Sequence, residues 1–240
     1  MAKFYRNSIV FISIQMLFTG VLNAQFTAYI INDKDGYTNI RKEPNVRSQI
    51  IGKVFEHEVF FGIPNDCSWG TEATENWEAI TSSKNPDGYI FRKNILEIKD
   101  LPAIAGKGNF ELLPESKESI ITGKRDNITI TMKLQPFNIQ NHKESVRGGT
   151  SDAYEDNVKH NTINNEIVEI EIVSNGKRII LPKERYIDYC DISFFRLYIG
   201  KNGGLYLHFG GGGDGGSYGI WFSIVDGKIL YECVSISLCI

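Results

Sequence analysis

The chain has 240 residues, of which 42% are hydrophobic and 23% charged. That balance excludes a disordered or low-complexity protein and gives length for one large or two small domains. A formal charge of −3 speaks against a general nucleic-acid binder, which would show a basic face or stripe. Four cysteines are far too few for a disulfide scaffold.

Residues 1–24 read as a secretory signal peptide. Lys3 and Arg6 form a positive start, Ile9 to Leu22 is a short apolar run, and Asn23-Ala24 offers a small-residue cleavage site before Gln25. The apolar run is short for a membrane span, which needs about 20 residues. The protein is therefore expected to be exported, periplasmic or extracellular, with no stable membrane span after cleavage.

From residue 26 to residue 101 the sequence predicts a small β domain. Gln25 to Asp33 is an entering strand. Asn39-Ile40-Arg41 alternates as a half-buried strand does, and Lys42-Glu43-Pro44-Asn45 breaks it with turn chemistry. Ile50, Ile51 and Val54 resume around Gly52, Trp77 to Ile80 adds a strand, and Asp87-Gly88 turns into Tyr89-Ile90. Residues 102–125, with Pro102, Gly106, Gly108 and Pro114, lack apolar periodicity and are expected to be a linker.

Residues 126–240 predict a second β-rich domain. Ile128 to Leu134 and Ile167 to Val173 alternate with period two. Asn175-Gly176 and Asp226-Gly227 sit between strand-like runs, the strongest short hairpin signals. Phe194 to Ile199, Leu205 to Phe209, Tyr218 to Val225 and Lys228 to Val234 supply further strands. A single helical turn is expected near Pro182, and a long polar loop between Gln135 and Asn165.

In the first domain, Asn39 to Arg41, Pro44, Ile51 to Val54, Trp77 to Ile80 and Gly88 to Ile90 together resemble a bacterial SH3-like (SH3b) domain. That family orders an N-[IV]-R strand, a Pro turn, an "IG.V" strand, a "W..[IV]" strand and a closing "G[YW][IV]". The resemblance implies a small barrel that binds cell-wall peptidoglycan or an envelope protein, without chemistry or cofactor. Ile63 to Asn76 is a longer loop than the pattern needs, and such loops carry specificity on small scaffolds. Trp69 in that loop is the first candidate ligand contact. Tyr37, Arg41 and Tyr89 join it, since the resemblance places their strands beside a groove. The C-terminal half is similar only to uncharacterised exported bacterial proteins.

Other constellations carry less. Asn65-Asp66-Cys67-Ser68 resembles the nucleophile context of NlpC/P60 cell-wall peptidases. That family sets its cysteine at a helix start, with a histidine further on, and here the motif lies in a loop. The Gly210 to Gly216 run lacks the Lys-Ser/Thr and following helix of a phosphate loop, and reads as a curved connection. His57, His142, His160 and His208 lack metal-ligand spacing, so no metal is expected. Cys190 can bridge Cys233 or Cys239, or all can be buried thiols. The fold expected is all-β, an SH3-like barrel followed by a second antiparallel domain, sandwich or open barrel. A hydrolase using Cys190, His208 or Asp214, or a protein–protein adaptor, are the alternatives to a non-catalytic binding protein.

Overall fold

The computed structural model describes residues 27–63, 74–110, 117–142, 163–201, 203–211 and 218–236, with residues 235 and 236 described by their backbone alone. Among them the fold is all-β, in three antiparallel sheets. No helix among the described residues is long and apolar enough to cross a membrane.

The first sheet holds β1 (Ala28–Ile31), β2 (Tyr37–Arg41), β3 (Ile50–Phe55), β4 (Phe60–Gly62), β5 (Trp77–Thr81), β6 (Gly88–Phe91) and β7 (Ile95–Glu97), in the order β3-β2-β6-β5-β4-β1-β7. Alternation sorts its side chains. Ile40, Val54, Phe60, Ile80 and Ile90 turn to one face and form a fully or nearly fully buried core. Tyr37, Asn39 and Arg41 point to the other. Gly88 is where β2 and β6 meet, because a Cβ there would stand 2.6 Å from the Arg41 carbonyl oxygen.

Beyond a 3-10 turn at Ile98–Asp100 comes β8 (Ala103–Ala105), then β9 (Ser119–Arg125). Both strands fall inside the 102–125 stretch expected as a linker. β8 pairs with β13 (Ile192–Ile199), and β9 pairs with β10 (Ile128–Pro136). Ile104 and Ile121 are buried in the same core as the strands that follow. The signal in Ala103–Ala105 is too short for periodicity to reveal it.

The remaining strands are β11 (Asn165–Ser174), β12 (Lys177–Ile180), β14 (Leu205–Gly211), β15 (Tyr218–Val225) and β16 (Lys228–Ile236). They make a four-stranded sheet, β12-β11-β10-β9, and a five-stranded sheet, β16-β15-β14-β13-β8. Ile130, Met132, Leu134, Ile170 and Ile172 from the first meet Leu197, Leu207, Phe209, Ile220 and Phe222 from the second in one core. The hairpin turns use their residues as expected: Asn175 and Gly176, and Asp226 and Gly227, all have positive φ. A 3-10 turn at Lys183–Arg185 follows Pro182.

The outer face of the five-stranded sheet is not bare. Tyr198, Tyr206, Trp221 and Cys233 form a buried cluster with Ile30, Val59, Phe61, Ile98 and Leu101 of the first sheet and the turn after it. The two β units are thus joined by an apolar interface as well as by chain.

Candidate functional site

Three of the four residues expected to contact a ligand lie on the outer face of the first sheet. Tyr37 is 36% exposed. Its ring lies against Phe55 across the β2–β3 pair, with centroids 6.4 Å apart, and Lys53 Nζ sits 4.0 Å from its centroid. Arg41 stands opposite Tyr89 in the register of β2 and β6. Its Nη1 donates to the Ser48 carbonyl at 2.7 Å, tying the guanidinium to the turn that follows β2. Tyr89 is buried in a small cluster with Ile63, Trp77 and Ala79, so its ring supports this face more than it presents it. Trp69 and Cys67 lie outside the described residues.

The same hairpin carries apolar side chains that the sequence pattern did not single out. Val46 is 69%, Ile50 48% and Phe55 49% exposed. From Tyr37 to Phe55 the bases Arg41, Lys42, Arg47 and Lys53 face one acid, Glu43. This face is positive and aromatic on an acidic protein. It can hold a ligand that offers carboxylates and an apolar or ring surface.

A second candidate is the aromatic row on the five-stranded sheet. His208 and Trp221 are cross-strand neighbours, their rings parallel within 6° and 4.0 Å apart. Trp221 stacks in turn on Tyr198, and Phe194 meets His208 edge-on. Burial, and then the nearby positive charge of Arg196, push the His208 imidazole down to about 4. The ring is neutral near pH 7 and serves as a stacking plate. Close by, His57 Nδ1 lies 3.2 Å from the Tyr206 hydroxyl, and Lys84 Nζ lies 3.9 Å from the Tyr231 ring centroid. Each of these contacts runs from the first unit to the second.

The third cluster unites His142, Glu166 and Cys190, which no sequence spacing connects. Glu166 is buried, yet it accepts hydrogen bonds from the Asn138 backbone N–H at 2.9 Å, from the Gln135 and Asn141 amides, and from His142 Nε2 at 2.9 Å. Burial alone would raise its pKa, but the four donors outweigh that and hold it below the usual carboxylate range. An ionised Glu166 can only accept, so the proton in that contact belongs to His142 Nε2. Cys190 Sγ is 3.9 Å from the same nitrogen. A nitrogen that already carries its proton cannot take one from the thiol. Burial, and then the charge of Glu166, also push the Cys190 thiol well above its ordinary value. This constellation is a hydrogen-bonded brace, not an activated nucleophile.

Cys190 and Cys233 are both free and buried. Asp214 and Cys239 lie outside the described residues. No group of three or more His, Cys, Asp or Glu among the described residues could hold a metal ion.

One carboxylate lies on the wrong side of its sheet. Glu78 shares the inward face of β5 with Ile80, and is buried beside Tyr29. Burial raises its pKa, against the pull of Arg92, whose Nη2 lies 2.8 Å from Glu78 Oε2. A hydrogen bond from Tyr29 completes the group. A Cβ on Gly62 would fall 2.8 Å from both Glu78 Oε1 and the Tyr29 ring, so this cluster sits where the chain leaves for residues 64–73.

No family model, no curated protein and no solved structure matches the chain. None of these comparisons identifies an SH3b domain.

Proposed function

We propose that this is an exported, non-catalytic binding protein whose first β unit attaches to cell-wall peptidoglycan or to an envelope partner through its outer face. The observation that carries the reading is the concentration of Tyr37, Phe55, Ile50, Arg41 and Lys53 on one exposed face. Exposed apolar groups gathered with charge on one face mark interaction sites more often than scattered ones do. Cationic side chains beside flat rings suit a ligand with carboxylates and apolar or sugar surfaces, as wall peptides and glycans have. The motif order of the SH3b resemblance points the same way. The state of Cys190 and His208 favours binding over hydrolysis, since burial raises one and lowers the other, away from the values a nucleophile and base need at neutral pH.

The test is sedimentation of the purified protein with insoluble peptidoglycan, beside Tyr37→Ala and Trp69→Ala variants. Co-sedimentation that weakens in Tyr37→Ala places recognition on the β2–β3 face, and weakening in Trp69→Ala extends it to the 63–76 loop. Equal binding by both variants would remove these residues from the site. No sedimentation of the parent protein would refute wall attachment.

A further inference from the structure

We infer that the free edge of β3 takes up an extended acidic segment of a partner polypeptide as an added strand. This rests on the reading of the chain as a binding protein and names the class of partner. β3 ends its sheet, and no strand lies beyond it among the described residues. The direction of its backbone groups follows from the pairing. Glu56 N donates to the Gly36 carbonyl at 2.9 Å, just past the Tyr37–Phe55 pair. Antiparallel partners alternate between bonded and non-bonded pairs, so the backbone groups of Phe55 and Lys53 turn away from β2. Phe55 N bears this out: it donates to Glu58 Oε2 at 3.2 Å, which closes that end of the edge. The Lys53 groups face outward along the part that stays open.

Soluble proteins guard such edges with charge, proline or very short strands. Here Lys53 is the one charge in the strand, a register shift opposite Ile40 and Arg41 leaves the edge regular from Gly52 onward, and Ile50 and Phe55, both about half exposed, lie on either side. Main-chain hydrogen bonds along the edge would supply affinity, and the alternate side chains of the guest would meet Ile50, Lys53 and Phe55. Charge selects the guest. Arg41, Lys42, Arg47 and Lys53 outnumber Glu43 of the hairpin and the Glu58 carboxylate at the closed end of the edge, which favours an acidic segment and repels a second copy of the same edge. A glycan has no alternating N–H and C=O groups to complete a ladder, so the guest is polypeptide.

The experiment is fluorescence anisotropy of the purified protein with labelled ten-residue peptides of alternating Val and Glu, and of alternating Val and Lys. The Val/Glu peptide should bind and the Val/Lys peptide should not. Lys53→Ala, which removes charge and keeps the N–H, should weaken binding about threefold. Lys53→Pro, which also removes the outward N–H, should weaken it at least about tenfold further. A Val/Glu peptide N-methylated on alternate residues tests the ladder without altering the protein, and it should fail to bind. Equal binding by the N-methylated peptide, or equal binding of both charge types, would overturn the inference. So would concentration-dependent dimerisation of the protein that Lys53→Pro abolishes. If the Val/Glu peptide does not bind but peptidoglycan co-sedimentation persists, strand addition falls and the wall-binding reading stands. Peptide binding without wall attachment would leave strand addition and make the partner a protein alone.

Discussion

Replacing His208 by Phe should remove much of the protein's sensitivity to mild acid. The imidazole is stacked on Trp221, met edge-on by Phe194, and pushed down to about 4 by burial and then by Arg196. In the unfolded chain it takes a proton near 6.5, its ordinary value. Between those two values the unfolded state binds a proton that the folded state refuses. Folding stability from this group is therefore complete above about 6.5 and is lost as the pH falls toward 4. The full loss is on the order of 3 kcal/mol. Phenylalanine keeps a flat ring in the stack and does not titrate. Urea unfolding of both proteins, repeated from neutral pH down to about pH 4, isolates the effect, because Glu78, Glu166 and the other carboxylates titrate in both. The stability of His208→Phe relative to the parent should rise by about 3 kcal/mol across that range. Parallel curves would show that His208 is protonated in the folded state as readily as in the unfolded one, and would refute the reasoning.

Glu166→Ala leaves Asn138 N, Gln135, Asn141 and His142 without their common acceptor. It should cost about 3 to 5 kcal/mol in urea unfolding, as breaking a buried charged network does. Gly88→Ala puts a methyl group 2.6 Å from the Arg41 carbonyl oxygen and 2.7 Å from an Ile40 methyl. Parting β2 from β6 should cost about 2 kcal/mol or more and lower the thermal midpoint. Cys190, buried and with its thiol raised, should react with a thiol reagent only as fast as the protein unfolds, and labelling measured across a denaturant series will read this directly.

Much of the all-β fold was legible because the informative residues act locally. Asn175-Gly176 and Asp226-Gly227 can adopt positive φ in succession, so they marked their hairpins without any knowledge of the tertiary structure. Period-two patterns in Ile128 to Leu134 located β10 for the same reason. β11 needed more. Between Lys133 and Leu134 its register shifts past Val168, which turns Ile167 inward along with Ile170 and Ile172. A strict alternation read from the sequence could not place all three on one face. β8 was missed because its identity depends on a partner elsewhere in the chain: Ala103–Ala105 is a strand because Arg196 to Tyr198 lie alongside it; β9 pairs with its neighbour β10 but fell inside the stretch expected as a linker.

The candidate sites divide in the same way. Tyr37 and Arg41 share a face by their spacing on one strand, which sequence can give. The burial of Tyr89 comes from Ile63 and Trp77 on other segments, and the capture of Arg41 comes from a carbonyl at Ser48. His142 and Glu166 approach across the β10–β11 layer with no motif to join them. Ile50 reads as an ordinary strand residue, and nothing in the pattern marks Phe55. Only the edge position of β3 shows that they stay in solvent.

The position of β8 bears on how the chain can be built and divided. These three residues emerge directly after the first unit, yet they complete the edge of a sheet whose other strands are synthesised last. The pairing of Ile104 with Leu197 closes a loop of about ninety residues, so this edge is expected to form late in folding. A fragment cut where the composition changes, near residue 126, would leave β13 with an open edge and β10 without β9. The halves can be told apart by eye, but they cannot be exchanged like beads on a string.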